Sequence, residues 1–209
     1  MSTPLSELVR SQTRVQHDAA ERSPLMTELV EGAALKTHLE LQVQLWFIYE
    51  ALESRLDAWR NYPEIAAFHD PRLNRLPAIA TSFSAVWGTG WRDQLRANPE
   101  TLDYAADIRL CADQLDGPRF LAHHYTRYLG DLSGGRIIGR NLQRATGAAD
   151  EVVGFYSFPD LKPKPFKDEY RARLDSLPWD EAGRETFLAA VRDSYVLNER
   201  MFRGILNAR

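Results

Sequence analysis

The segment YLGDLSGGRIIGR, residues 128–140, has the apolar spacing of an α-helix and yet contains four glycines. Each glycine inside a helix costs roughly 1 kcal/mol relative to alanine, so the segment loses several kcal/mol of helix stability. The glycines form two pairs at a spacing of four, Gly130 with Gly134 and Gly135 with Gly139. Residues four apart share a helix face, so each pair leaves backbone bare. Bare backbone fits either close helix packing or a flat ligand lying on the helix, and the glycines alone favour neither.

Two charged residues accompany the glycines. Arg127 and Asp131 lie one turn apart on the predicted helix. On its own, such a pair is most often a solvated surface ion pair that adds little stability. Next to bare backbone, the two side chains become candidate polar groups of a ligand pocket, and this favours the ligand explanation for the glycines.

The composition indicates one globular domain. The chain has 209 residues, enough for one substantial core, and we predict a single domain over residues 1–209. With 26 basic and 29 acidic residues, the net charge of −3 gives no reason to expect nucleic acid as a partner. The lone cysteine, Cys111, cannot form an internal disulfide bond. No apolar run reaches the ~18 residues of a membrane span and no signal peptide is visible, so we expect a soluble, cytoplasmic monomer without a membrane anchor.

Apolar residues recur at helical spacing almost throughout, without an alternating strand pattern, so we predict an all-α fold. Glycine, proline and capping residues give the boundaries of the helices. The predicted helices run from Thr3 to about Glu21, Pro24 to Val30, Lys36 to Arg60, Leu73 to Val86 with Pro77 as a candidate bend, Pro99 to Leu115, Asp116 to Gly147, Phe166 to Ser176 and Pro178 to Leu206.

The first predicted helix carries His17 off the edge of its apolar stripe. The stripe comprises Leu5, Leu8, Val9, Gln12, Val15 and Ala19. A lone histidine at a helix edge is most often a surface residue. Here Glu21, one turn on, can approach the imidazole and fix its tautomer, as ligand histidines usually require. Arg10, two turns before His17 and about 10 Å away along the axis, suits an anionic group at the rim of a ligand that His17 holds.

The other four histidines have simpler interpretations. His123 and His124 lie on the glycine-bearing helix but too far along it to face a ligand on the glycines, so we predict structural roles for them. His38 and His69 have no partner pattern and are predicted to be surface residues. His17 is therefore the candidate metal ligand.

A basic cluster lies near the carboxyl end of the chain. Its members are Lys162, Lys164, Lys167 and Arg171. By default such a cluster is a solvated face. Only Lys167 and Arg171, which are four residues apart, share a helix face and are compatible with a site.

The stretch AHHYTRYLGDLSGG, residues 122–135, resembles the distal-helix signature of the heme oxygenases, above all the soluble bacterial ones. The resemblance continues in LWFIYEALE at 45–53, GFY at 154–156, FKDEYR at 166–171 and the region of Asn198. A signature of this length is hard to explain by chance. The resemblance implies a single-domain helical bundle in which haem b lies between a proximal helix and the glycine-bearing distal helix.

The resemblance also implies roles for individual residues. His17 would bind the haem iron, and Glu21 would orient its ring. On the distal helix, haem contacts would come from Gly130, Ser133 and Gly134. The haem propionates would be held by Arg10, Tyr125, Lys167 and Arg171. A distal water network that delivers protons would be supported by Tyr49, Arg127, Asp131 and Asn198.

In the family that this chain resembles, haem is both cofactor and substrate. Dioxygen and electrons convert it to biliverdin, carbon monoxide and ferrous iron, and the usual geometry implies cleavage at the α meso carbon. The chain has no flavin or nicotinamide fingerprint, so the resemblance implies an external electron donor, a ferredoxin or a flavoprotein reductase. Two residues depart from the usual pattern: Arg10 stands where lysine is common, and Tyr195 replaces a phenylalanine near the pocket.

Two other functions stay open. A haem carrier without catalysis would use similar binding residues, and Asp131 beside an open distal face is the feature that favours an enzyme instead. An all-α enzyme acting on a small heterocycle would not explain why His17 accompanies a glycine-bearing helix.

Overall fold

The computed structural model describes residues 3–32 and 34–209, and within these ranges the chain is all-α and contains no β-strand, as predicted. The α-helices in this part of the chain are α1 (Leu5–Gln12), α2 (Arg14–Glu21), α3 (Pro24–Val30), α4 (Leu35–Glu53), α5 (Pro63–Ala66), α6 (Leu76–Trp87), α7 (Pro99–Asp113), α8 (Gly117–Thr146), α9 (Asp150–Val153), α10 (Pro163–Asp175) and α11 (Glu181–Asn207). Short 3-10 helices cover Leu56–Trp59, Pro71–Leu73, Gly88–Gln94 and Gly154–Tyr156. Among the described helices, none has the length and apolar character needed to cross a membrane.

The helix α8 is the centre of the fold. It has 30 residues, and α11 is its principal neighbour, with α3, α7 and the Gly154–Tyr156 turn also packed on it. At its start, the side chain of Asp116 accepts a hydrogen bond from the backbone N–H of Arg119. At its end, Gly147 adopts the left-handed conformation with φ 68°. These capping residues confirm the predicted start and end of the glycine-bearing helix.

The predicted first helix is two helices, α1 and α2, because the chain turns at Thr13. Thr13 has φ −113° and ψ 9°, and its hydroxyl donates to the carbonyl oxygen of Val9 at 2.8 Å. Threonine side chains that bond the carbonyl four residues back often bend a helix. The predicted apolar stripe does not continue beyond this break, and Val15, one of its members, is 77% exposed.

Other predicted features of the helices also change. The predicted helix Lys36–Arg60 ends at Glu53 and continues as the 3-10 helix Leu56–Trp59. Pro77 lies in the first turn of α6 and bends nothing, because a first-turn residue has no intrahelical partner for the N–H that proline lacks.

The two glycine pairs of α8 have different surroundings. A Cβ atom added at Gly135 would lie 3.2 Å from the ring of Tyr156, and one added at Gly139 would lie 3.0 Å from the Cβ atom of Tyr156. At Gly130 and Gly134, an added Cβ atom would meet nothing within 4 Å. Close packing therefore explains Gly135 and Gly139, whereas Gly130 and Gly134 border open space.

His38 is fully buried, so the prediction that it is a surface residue was wrong. Its Nδ1 lies 3.1 Å from the hydroxyl oxygen of Tyr156, and its Nε2 lies 3.1 Å from the carbonyl oxygen of Val152. The sequence misled because α4 is buried around most of its circumference, so polar side chains such as Gln42 also point inward. Burial lowers the pKa of His38 to about 4. His69 is exposed, as predicted.

We expect opposite stability effects from alanine in the two glycine pairs. Gly134→Ala should raise the free energy of unfolding of the ligand-free protein by up to ~1 kcal/mol, because it improves helix propensity without a clash. Gly139→Ala should lower it, because displacing Tyr156 costs roughly 1–3 kcal/mol, which exceeds the helix gain. Urea denaturation measures both changes. Equal stabilisation by the two substitutions would refute the packing role of Gly139.

We also expect acid to destabilise the fold through His38. The folded pKa lies below the ordinary value of 6.5, so the stability contributed by neutral His38 is present above pH 6.5 and is lost as the pH falls towards 4. Each pH unit within this window should cost up to about 1.4 kcal/mol. In His38→Gln, which keeps a donor and an acceptor, the free energy of unfolding should fall less steeply between pH 6.5 and 4.5.

Urea denaturation at several pH values gives this slope, and His69→Gln is the matched control because His69 is exposed. Its slope should equal that of the wild type. The assignment to His38 fails if both variants keep the wild-type slope.

Candidate functional site

A cleft open to solvent runs between α2, α8 and α11, with α4 and the Gly154–Tyr156 turn forming part of its wall. It encloses about 830 Å³, counting the space on its open side. Its apolar lining residues are Ala20, Met26, Leu41, Leu45, Ile138, Phe155 and Phe202. Its glycine and polar lining residues are His17, Glu21, Thr126, Arg127, Gly130, Asp131, Ser133, Gly134, Gly135, Tyr156, Tyr195 and Asn198. The open space beside Gly130 and Gly134 is therefore this cleft.

Four predicted site residues form one hydrogen-bonded network at the cleft. Arg127 donates through Nη1 to Oδ1 of Asn198 at 2.7 Å and through Nη2 to Oδ1 of Asp131 at 3.1 Å. The hydroxyl of Tyr49 donates to Oδ2 of Asp131 and lies 3.5 Å from Nη2 of Arg127. The network thus joins α4, α8 and α11 at the bare segment of the distal helix.

The Arg127–Asp131 pair is buried, so the alternative of a solvated surface pair does not apply. Each side chain is only 10% exposed. Burial raises the pKa of Asp131, although Arg127 and the Tyr49 hydroxyl act in the opposite direction. Burial alone would lower the pKa of Arg127, but the nearby Tyr49 and Asp131 raise it, so Arg127 stays charged. The Nε atom of Arg127 is buried and has no hydrogen-bond partner among the described residues.

His17 lies on the α2 side of the cleft with two carboxylates beside its ring. Its Nε2 is 3.6 Å from Oε1 of Glu21, and its Nδ1 is 3.7 Å from Oδ1 of Asp18. Glu21 is close to the imidazole, as predicted, but at a distance longer than a hydrogen bond. The ring of Tyr195 approaches edge-on, with ring centroids 6.1 Å apart. The sequence reasoning missed Asp18, although its place next to His17 was visible.

Three of the four residues predicted to bind an anionic rim group lie on α8 and α10, outside the lining of the cleft. Lys167 donates through Nζ to Oγ of Ser133, a lining residue, at 3.0 Å. Burial raises the pKa of Tyr125, and the neighbouring guanidinium of Arg171 acts to lower it. Burial, followed by the charge of Arg171, lowers the pKa of Lys167. In contrast, Lys164 is exposed and pairs with Asp168 at 3.0 Å.

The helix predicted to carry both Arg10 and His17 is interrupted at Thr13. The distance of two turns from His17 assumed one continuous helix, and the chain turns at Thr13 between the two residues. Arg10 is exposed on α1, and its side chain makes no hydrogen bond or ion pair within residues 3–32 and 34–209. Its predicted contact with an anionic group therefore loses its geometric argument.

The histidine pair at the start of α8 lies away from the cleft. His123 is buried, with Nε2 2.9 Å from Oδ2 of Asp107. His124 is buried, with Nδ1 3.0 Å from the hydroxyl oxygen of Tyr170. These contacts agree with the predicted structural roles. The apolar walls from α3, α4 and the end of α11 were not predicted, because an apolar lining residue has the same sequence pattern as a core residue.

The sequence also matches known proteins. The heme oxygenase family model matches residues 3–204. The chain is 31% identical over 208 residues to heme oxygenase 1 of Synechocystis sp., covering 98% of this chain and 86% of that protein. It is 32% identical over 209 residues to a heme oxygenase of Pyropia yezoensis, covering 98% of this chain and 87% of that protein.

A solved structure extends the similarity to the fold. The crystal structure of heme oxygenase-1 from Synechocystis sp. in complex with heme superposes with a TM-score of 0.88 at 28% sequence identity. The alignment covers 99% of this chain and 96% of that chain. The matches in sequence and in fold both extend over nearly the whole chain. This chain therefore belongs to the heme oxygenase family, a family of haem-degrading enzymes.

Proposed function

We propose that this protein binds haem b in the cleft through His17 and, with dioxygen and external electrons, cleaves the ring at its α meso carbon to biliverdin, carbon monoxide and ferrous iron. The observation that carries the proposal is the position of the buried network. Arg127 and Asp131 lie beside the bare backbone of Gly130 and Gly134, in the same cleft that His17 lines. A haem carrier has no need of such a network.

The residues of the cleft fit haem. At Gly130 and Gly134 there is room that any Cβ atom would partly fill, so a flat group can lie against the backbone. Leucine, isoleucine and phenylalanine side chains supply an apolar wall for the porphyrin. The imidazole of His17 is of the ligand type that haem iron accepts in many proteins. Ser133 and Gly134 would contact the ring, and Glu21 would hold the imidazole.

Bound haem would supply both the iron that activates dioxygen and the carbon that is oxidised. The contribution of the chain is to hold water and move protons beside it. The carboxylate of Asp131, fixed by Arg127 and Tyr49, can accept a hydrogen bond from water and relay a proton. The raised pKa of Asp131 favours this exchange. The free Nε–H of Arg127 and the amide of Asn198 can hold further water.

Several parts of the proposal rest on the sequence. The electron donor, a ferredoxin or a flavoprotein reductase, stays a prediction, as do the monomeric state and the cytoplasmic location. The family match over residues 3–204 supports our proposal of one domain over residues 1–209.

We expect His17→Ala to abolish the absorption spectrum of histidine-ligated ferric haem, together with turnover. Added imidazole should restore part of both, because it can occupy the space of the lost side chain. Absorption spectroscopy of the haem complex makes the measurement, with His69→Ala as a control that keeps the wild-type spectrum. An unchanged axial-ligand spectrum in His17→Ala would exclude this ligand.

We expect Lys167 and Arg171 to fix the in-plane orientation of haem by holding its propionates, since charge-assisted contacts fix geometry as well as add affinity. The double variant Lys167→Ala/Arg171→Ala should bind haem but yield mixed biliverdin isomers. Lys162→Ala/Lys164→Ala is the control and should yield the α isomer alone. Chromatographic separation of the isomers decides, and a single unchanged isomer from the first variant would reduce the pair to a solvated face.

We expect Asp131→Ala to bind haem with nearly wild-type affinity and an unchanged His17 bond, and yet to form no biliverdin. With added hydrogen peroxide as the oxidant, the variant should instead oxidise guaiacol in a peroxidase-like reaction. Asp131→Asn is the sharper variant, because it keeps size and hydrogen bonding and removes the charge. Single-turnover biliverdin yield is the measurement. A wild-type yield from Asp131→Ala would leave Asp131 with only its pairing to Arg127.

A further inference from the structure

We propose that His38 and Tyr156 form a positioning pair that sets the place of the glycine-bearing segment of α8 over the cleft. This proposal takes from the proposed function only the role of the cleft as the haem site. Neither residue contacts the Arg127–Asp131 network through a hydrogen bond among the described residues. The pair would act on the site through the backbone of α8.

Tyr156 packs directly against the glycine-bearing segment of α8. Its side chain lies against the bare faces of Gly135 and Gly139, so close that a Cβ atom at either glycine would have to displace it. The same residue lines the cleft. The distance between the backbone of α8 and the Gly154–Tyr156 turn is therefore set by one aromatic ring.

A hydrogen bond to His38 fixes the orientation of the Tyr156 ring. The carbonyl oxygen of Val152 can only accept a hydrogen bond, so the Nε2 atom of His38 carries the proton. The unprotonated Nδ1 atom then accepts from the hydroxyl of Tyr156. Both side chains are 5% exposed or less, so water does not replace the bond. The ring of Tyr156 is thereby tied to α4.

A buried polar pair is a costly way to fill space. Phenylalanine at 156 and leucine at 38 would occupy similar volumes without burying a hydroxyl and an imidazole. Buried hydrogen bonds instead specify one arrangement of the groups that they join. Four glycines make the segment 130–139 of α8 easy to displace, because glycine restricts the backbone least. A hydrogen bond that fixes Tyr156 against Gly135 and Gly139 can therefore hold this segment in one position, which apolar packing alone would not do.

The pair supports the part of α8 that carries the site. Asp131 lies one turn before Gly135, and Gly134 directly precedes Gly135. A shift of Tyr156 would move the backbone at Gly135 and, with it, the bare backbone of Gly130 and Gly134 beside the cleft. Tyr156 and His38 are positioning residues in this sense.

Amide hydrogen exchange of the haem-free protein tests the pair. In Tyr156→Phe and His38→Leu, we expect the amides of residues 130–139 to exchange about fivefold faster, the factor for losing one hydrogen bond worth ~1 kcal/mol. Exchange in α7 should not change. His38→Gln, which keeps an acceptor for Tyr156 and a donor for Val152, should restore the wild-type rates. Tyr104→Phe is the matched control, because it removes a buried tyrosine hydroxyl bonded to Ser194 at 3.0 Å.

Unchanged exchange at residues 130–139 in both variants, or equal acceleration throughout the chain, would overturn the proposal. Turnover with ascorbate as a chemical electron donor gives a second readout, in which kcat should fall in Tyr156→Phe with haem affinity nearly unchanged. If the wild type itself formed no bilin, the proposed function would fail, and the exchange measurements would still decide the role of the pair.

Discussion

The site depends on keeping α8 helical and in place through a segment that contains four glycines. Such a segment is weak on its own, because its glycines cost several kcal/mol relative to alanine. Tertiary contacts supply the missing stability. α11 packs along α8, and Tyr156 fills the bare face at Gly135 and Gly139. Packing thus offsets the cost of Gly135 and Gly139, whereas Gly130 and Gly134 leave their backbone open to the cleft.

The buried charges impose a second constraint on the same helix. Arg127 and Asp131 are out of water, where an unpartnered charge would be strongly destabilising. Tyr49 from α4 and Asn198 from α11 provide the hydrogen bonds that make their burial tolerable. The network therefore needs three helices in register and helps to hold them there. Low local dielectric also strengthens the effect of the Asp131 carboxylate on groups in the cleft.

The sequence predicted the all-α fold, the start and end of α8, and the residues that meet as the distal network. These succeeded because capping residues and glycine spacing are local signals, and because the distal signature is long. The predicted apolar stripe fails beyond Thr13, where the helix is interrupted, and the spacing argument for Arg10 is lost with it. His38 was misjudged because helical spacing does not reveal a helix buried on nearly all sides. The sequence does not show which glycine pair packs against a side chain and which borders the cleft, because this depends on where Tyr156 lies in the fold.

One stretch of α11 contributes to both sides of the cleft. Tyr195 packs against His17, and Asn198, three residues later, binds Arg127 of α8. Both contacts come from one turn of α11, so this helix fixes the separation of the α2 and α8 walls of the cleft. Inserting or deleting a residue just before this turn would rotate both side chains by about 100° around the helix axis. Natural variation in length is therefore far easier to accommodate in the loops of this protein than anywhere before Tyr195 in its last helix.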